Sequence, residues 1–417
     1  MSTPRVVITG VGAVTAAGNT ADATWAAMLD GRSGIGPITA FDPEPYPVRI
    51  QAEVKNFSLD DRVDPKQQRH MSRASQFGLA TAMQALEDSA FEINEENADQ
   101  VGVIFSSGGG GVEMINEYQH TLDTKGPRRI TPFLVGNFIV DAPSGHIAIT
   151  TGARGPNFAP VSACATGGVA IGEAFEHIRR GDATAVIAGS SDAVLLPIFH
   201  ATWCSMRALA GDNEHPEKAL KPFDANRDGF VAGEGGAAFI LEDLDHARAR
   251  GAKIYCEVLG YGSSNDAYDM IALHETGRGL KRAMQSAIRR AGIDPKEINY
   301  INPHGSGTPL NDRVETMVFK ELMGDAAYDA TISSVKPITG HCMGAAGSVE
   351  ALACIMAIRD QRVPPTINYS TPDPECDLDY VPNEARSANV RVSVSTSVGL
   401  GGHNSCVIFR DAGAVTE

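Results

Sequence analysis

Along the chain, short apolar runs rich in β-branched residues alternate with longer stretches whose apolar positions recur every three or four residues. The first pattern predicts strands at Val6–Thr9, Val101–Phe105, Ala185–Gly189, Ala237–Leu241, Tyr300–Asn302, Thr331–Val335, Val390–Ser395 and Cys406–Phe409. The second predicts helices at Ser75–Ser89, Thr166–Arg180, Gly279–Ala291 and Ala345–Asp360. Alternation of this kind predicts an α/β fold, and 43 glycines suit many tight strand–loop junctions. No window holds about 18 uninterrupted apolar residues, so no membrane span is expected. The N-terminus reads as a strand and turn, not as a secretory leader.

The pattern echoes itself once. Ala163–Gly168 opens a helix that closes at Arg180–Asp182, and Gly340–Ala345 opens another that closes at Arg359–Asp360. Each places a reactive side chain at a helix start, just after a strand-like run. We read this as a duplication, with halves at roughly 1–250 and 251–417.

Composition narrows the function. The 417 residues are 43% hydrophobic and 21% charged, enough to bury a large core and too apolar for a disordered chain. A net charge of −16 argues against general nucleic-acid binding, so an anionic partner needs a local basic patch. Seven cysteines (Cys164, Cys204, Cys256, Cys342, Cys354, Cys376 and Cys406) are scattered without a CxxC pair. That spacing argues against a disulfide framework or a zinc site and for a reduced, cytoplasmic setting.

Four segments could carry chemistry. Val161-Ser-Ala-Cys164-Ala-Thr-Gly-Gly sets a cysteine where free N–H groups and the helix dipole favour the thiolate, the alternative being a buried structural cysteine. Asn302-Pro-His304-Gly-Ser306-Gly-Thr308-Pro309 puts a histidine and two hydroxyls in a loop after a strand; the bland reading is a solvated turn. Ser334-Val-Lys336-Pro-Ile-Thr-Gly340-His341 supplies a lysine and a second histidine, or merely a capping loop. Gly399-Leu400-Gly401-Gly402-His403-Asn404 is a turn whose bare N–H groups suit an oxyanion. Ser107–Gly111 lacks a Walker lysine, so it is no phosphate cradle. Asp224-Ala-Asn226-Arg-Asp228-Gly229 begins like a calcium loop, but the twelfth position is Gly235, not an acid. An ion-pair network around a rigid turn is expected there.

Cys164, His304 and His341, in that order and with these flanks, resemble the β-ketoacyl-acyl-carrier-protein synthases, in particular the elongating type II enzymes with a Cys-His-His triad. The similarity starts at Val6–Gly12. It continues through Lys125–Arg129, Asp228–Glu234, Gly251–Tyr255, Thr339–Gly347, Val363–Asn368 and the Gly399–Asn404 turn. It implies the thiolase fold, a duplicated five-layered αβαβα arrangement. It also implies a decarboxylative condensation without a resident cofactor, because the 4'-phosphopantetheine arm belongs to the substrate acyl carrier protein. Cys164 would hold the acyl group, and the N–H groups of Cys164 and Leu400 would hold the oxyanion. His304 and His341 would stabilise the enolate, with Lys336 and Glu350 in support.

By the same resemblance Ser306 and Thr308 grip pantetheine, the family usually having threonine at the first. Gly109, Phe133 and Leu400 line the acyl pocket, Phe133 at a homodimer contact. Lys66, Arg69, Arg128, Arg129 and Arg207, with His70, form the carrier-docking patch, unless they are scattered solvated charges. Departures are Leu400 where the family has a gating phenylalanine, Gly109 where it has a bulky side chain, Pro303 for alanine and His403 for threonine. The first two remove bulk and predict a roomier, less gated channel for long or unusual acyl chains. Rival readings are a ketosynthase subunit of a polyketide or specialised lipid pathway, a non-catalytic scaffold subunit, and a thiolase. Cys406, inside the last expected strand, suits the thiolase role poorly.

Overall fold

The computed structural model describes residues 3–59 and 63–415. Ten strands form one mixed sheet: β1 (Val6–Thr15), β2 (Val101–Ser106), β3 (Asn157–Phe158), β4 (Ala185–Asp192), β5 (Gly235–Asp243), β6 (Cys256–Asn265), β7 (Tyr300–Asn302), β8 (Thr331–Ile332), β9 (Val392–Gly399) and β10 (His403–Asp411). Their order across the sheet is β8-β7-β9-β10-β6-β1-β5-β4-β2-β3. Counted outward from the central β1–β6 pair, each strand of the first half has its equivalent five strands later. The pairings agree as well. β2 runs parallel to β3 and β4, as β7 does to β8 and β9, while β4–β5 and β9–β10 are antiparallel.

Helices repeat the scheme. α1 (Arg73–Ser89) follows β1 and α2 (Ala142–Thr151) follows β2; α3 (Thr166–Arg180) leads into β4. Their counterparts are α4 (Arg278–Ala291), α5 (Pro309–Met323) and α6 (Ala346–Asp360). α3 and α6 pack on each other between the two halves of the sheet, while α1 and α4 cover the outer faces. This is the layered αβαβα thiolase fold. All residues of α6 from Ala346 to Ile358 are buried, the polar Ser348 and Glu350 among them having buried partners.

The outer helices sit very close to their strands. A Cβ on Gly10 or Gly12 of β1 would collide with the Ala85 or Thr81 carbonyl of α1. A Cβ on Gly260 or Gly262 of β6 would collide with the Ala287 or Ala283 carbonyl of α4 in the same way. Those glycines are why the pattern of apolar runs missed β6: a strand diluted by glycine looks like loop.

Two other expectations shift. Thr331–Val335 shrinks to Thr331–Ile332, because Val335 caps a short helix Lys336–Thr339 with Pro337 in its first turn. The Val390–Ser395 run begins at Val392 and continues to Gly399.

Candidate functional site

A cavity of about 330 Å³ opens where the two halves meet, and Cys164, His304, Ser306, Thr308, His341 and Leu400 all line it. Each comes from a loop at the end of a strand or the start of a helix. Cys164 stands two residues before α3, after Ala163 in the left-handed region at φ +49°. Backbone bonds from Ala165 N–H to Ser162 O and from Thr166 N–H to Ala163 O hold that tight turn. The Gly399–Leu400 backbone lies against it. A Cβ on Gly399 would sit 3.0 Å from Cys164 N, so only glycine fits, and the Leu400 N–H is placed to favour negative charge on the Cys164 sulfur.

Burial pushes the Cys164 thiol up to about 11, although the Lys336 charge and the Leu400 N–H pull the other way. The expectation that the helix start would favour the thiolate is therefore corrected. Cys164 rests as a thiol at neutral pH, because loss of water costs the anion more than these neighbours return.

His304 follows β7. Its N–H and that of Gly305 donate to the two Glu315 carboxylate oxygens, each at 2.7 Å. Behind the ring lies Lys336, 1% exposed, bonded to the His304 carbonyl and to the buried Glu350 carboxylate. Lys336 Nζ is 3.5 Å from His304 Nδ1. An ammonium can only donate, so Nδ1 accepts and the ring proton belongs on Nε2. The His341 ring meets His304 edge-on at 5.3 Å, and Phe230 meets His341 at 5.4 Å. Burial first, then the Lys336 charge, holds both imidazoles well below the usual histidine range. Both are neutral at pH 7 and able to donate a hydrogen bond.

Ser306 Oγ and Thr308 Oγ1 are 3.0 Å apart on the cavity wall, and Arg207 is exposed at its rim. Lys66, Arg69, Arg128 and Arg129 are also exposed. The His70 ring meets Phe133 at a tilt, centroids 4.5 Å apart, which brings the segment of Lys66 and Arg69 beside that of Arg128 and Arg129. Leu400 is 44% exposed at the mouth of the cavity.

Neither Gly109 nor Phe133 lines the cavity within this chain, and Phe133 is 54% exposed, as a residue expected at a contact with a second copy would be. The expectation of a roomier pocket at Gly109 needs correcting. The space that Gly109 leaves is filled, since a Cβ there would collide with Val194 Cγ1. The missing side chain at 109 therefore makes no extra room.

The calcium-like loop is a structural clasp. Asp224 accepts from the N–H groups of Asn226, Ser370 and Thr371, and Arg227 pairs with Asp373 at 2.5 Å and faces Asp312 at 3.8 Å. Sequence reasoning missed Glu315 and Asp312. Asp312 accepts from Phe223 N–H at 2.8 Å and Gly307 N–H at 3.2 Å, so both acids anchor the loop that carries His304, Ser306 and Thr308. The available signal was the Asn311-Asp312-x-x-Glu315 run in the first turns of α5, where buried acids serve backbone N–H groups.

Residues 3–247 match the beta-ketoacyl synthase N-terminal domain and residues 255–370 its C-terminal domain. A 3-oxoacyl-[acyl-carrier-protein] synthase 2 of Synechocystis sp. is 45% identical over 406 residues, covering 97% of this chain and 98% of that protein. Among solved structures, the ishigamide ketosynthase/chain length factor superposes with a TM-score of 0.90 at 32% identity, over 98% of this chain and 99% of that one. A type II polyketide ketosynthase in complex with its acyl carrier protein gives 0.88 at 32% identity, with the same coverage of each chain.

Proposed function

The chain belongs to the beta-ketoacyl synthase family, and from that premise we propose that it is a 3-oxoacyl-acyl-carrier-protein synthase of fatty acid elongation. The observation that carries this reading is the convergence of Cys164, two neutral histidines and the Leu400 N–H on one cavity. In the first step the Cys164 sulfur attacks an acyl thioester. The carbon–sulfur bond to the carrier's pantetheine breaks, and the thiol proton leaves with the departing sulfur. The N–H groups of Cys164 and Leu400 steady the tetrahedral oxyanion.

In the second step malonyl carrier protein enters and loses CO2. The neutral His304 and His341 donate to the thioester oxygen as charge builds on it. The resulting carbanion attacks the acyl-cysteine, the carbon–sulfur bond to Cys164 breaks, its thiolate takes a proton from solvent, and a 3-oxoacyl chain two carbons longer leaves on the carrier. Lys336, paired with Glu350, keeps His304 in the tautomer that donates from Nε2. Ser306 and Thr308 hold the pantetheine arm, and no resident cofactor is used.

Partners follow from the surface. The exposed Lys66, Arg69, Arg128, Arg129 and Arg207 offer a local positive patch for an acidic carrier on an otherwise acidic chain. β3 ends the sheet with its outer edge unpaired among the described strands. Ile149 stands exposed on α2, which packs beside β3, and Phe133 and Val135 stand exposed on the segment that packs on α2, so we assign this face to a second copy. Among the described residues no helix is long and apolar enough to cross a membrane, and we place the enzyme in the cytoplasm.

The polyketide reading has the structural likenesses at 32% identity in its favour, against 45% for the fatty acid relative. The complete triad speaks against a non-catalytic scaffold. Intact-mass spectrometry after incubation with a series of acyl carrier proteins tests the proposal. A mass gain that matches each acyl group, and that is absent from Cys164→Ala, is expected; no adduct with any chain would sink it.

A further inference from the structure

We infer that Asp192 is a positioning residue of this site, its carboxylate pinning the loop that carries His341 to the glycine loop after β2. The inference rests on the functional reading above and adds a residue that sequence reasoning did not single out. Asp192 is the last residue of β4 and is 1% exposed. Its Oδ1 accepts from Ser107 Oγ at 2.8 Å and from Gly109 N–H at 3.0 Å. Its Oδ2 accepts from Gly344 N–H at 2.8 Å, three residues after His341. One carboxylate of the first half thus joins a loop of its own half to the histidine loop of the other.

The two loops meet directly around it. A Cβ on Gly344 would lie 2.6 Å from Gly108 N and 2.7 Å from Asp192 Oδ2. A Cβ on Gly108 would lie 2.8 Å from the same oxygen and 3.3 Å from the Gly344 Cα. Two glycines and a short acid fill this junction, and there is no room for the longer arm of glutamate. Three donors converge on the carboxylate with no arginine or lysine among its hydrogen-bond partners in the described residues, so the charge is spent on holding backbone in place. Charge-assisted bonds of this kind are about twice as strong as neutral ones. A neutral bond beside it, Ser190 Oγ to Ser348 Oγ at 2.7 Å, links β4 to α6 independently.

Asp192→Asn tests the assignment, because the amide keeps the shape but turns an NH2 group toward donors that need an acceptor. The wild type and the variant are compared in two assays: acyl loading of Cys164 by intact mass, and condensation with malonyl carrier protein. If Asp192 positions His341, kcat for condensation falls roughly 10- to 100-fold, the expected cost of losing a charged acceptor for a buried N–H. Loading and the KM for the malonyl carrier stay within about twofold of wild type. A general loosening of the fold would instead lower loading and condensation together, and that result overturns the assignment, as does unchanged condensation.

Ser107→Ala covers the case in which Asp192→Asn does not fold. It removes one of the three donors and leaves the Gly344 bond, so condensation falls about two- to fivefold with loading intact; equal losses in both assays again overturn the pin. A wild-type chain that takes no acyl group from any carrier overturns the functional reading itself, which the loading assay alone reveals.

Discussion

The two halves of this chain run through the same strands and helices, yet they carry different side chains at matching places. The start of α3 carries Cys164 and the start of α6 follows His341. The loop after β2 is Ser107–Gly111, glycine at every position after Ser107, whereas the loop after β7 carries His304, Ser306 and Thr308. Even the close strand–helix contacts repeat, with Gly10 and Gly12 against α1 and Gly260 and Gly262 against α4. The shared scaffold therefore sets where side chains can converge. On the proposed function the side chains divide the labour, the first half holding the acyl group and the second stabilising charge on the incoming one. Changes in one half should separate cleanly from changes in the other.

Removing the nucleophile gives the largest effect. Cys164→Ala should abolish the acyl adduct and lower condensation by at least about 10³-fold, while malonyl decarboxylation, a task of the second half, persists. Mass spectrometry and CO2 release measure the two sides, and a surviving adduct would break the comparison. Next come the histidines. His304→Ala or His341→Ala should leave Cys164 loading within a few-fold and cut decarboxylation and condensation roughly 10²- to 10³-fold, as loss of a hydrogen-bond donor to a developing oxyanion does. Equal damage to loading would mean that the halves do not divide the work.

Lys336→Ala should cost stability as well as rate. It strands the Glu350 carboxylate, 1% exposed, without its cation, an error worth about 3–5 kcal/mol. Urea unfolding of Lys336→Ala beside Lys336→Met/Glu350→Leu checks this, since removing both charges should recover most of the loss. A single variant as stable as wild type would refute the account of the pair.

How much of this could be read from the chain follows from the same repetition. The helix starts at Cys164 and His341, with their flanking small residues, announced both the residues that converge on the cavity and the duplication. The strands richest in valine and isoleucine were equally plain. β6 was not, because its glycines serve the close approach of α4 and dilute the apolar signal. Gly109 misled for a related reason: its missing side chain suggested space, and only packing shows Val194 occupying it. Asp312 and Glu315 left only the short acidic run at the start of α5 as a signal, and Asp192 was invisible as a site residue because it acts on the N–H groups of Gly109 and Gly344, far along the chain. No local pattern marks such a contact. The thiol of Cys164 misled through burial, which a sequence does not display.

The smallest expected effect concerns the buried acid beneath His304. Burial pushes Glu315 from its ordinary 4.5 up to about 7, despite the donors from His304 and Gly305. The folded state thus binds a proton between about 4.5 and 7 that the unfolded chain has released, so Glu315 takes stability away as pH rises through that window. His304 and His341 act in the opposite sense. Their folded values lie well below the ordinary 6.5, so the unfolded chain binds protons first and stability falls as pH drops below 6.5. Glu315 offsets part of that acid loss in the wild type. Glu315→Gln, neutral at every pH, should lose the offset, and its unfolding free energy should fall more steeply than wild type between pH 6.5 and 5. Urea titrations at several pH values in that range read the difference directly. Parallel curves would show that Glu315 does not change charge there and that the loop of the second half is held by an acid ionised throughout.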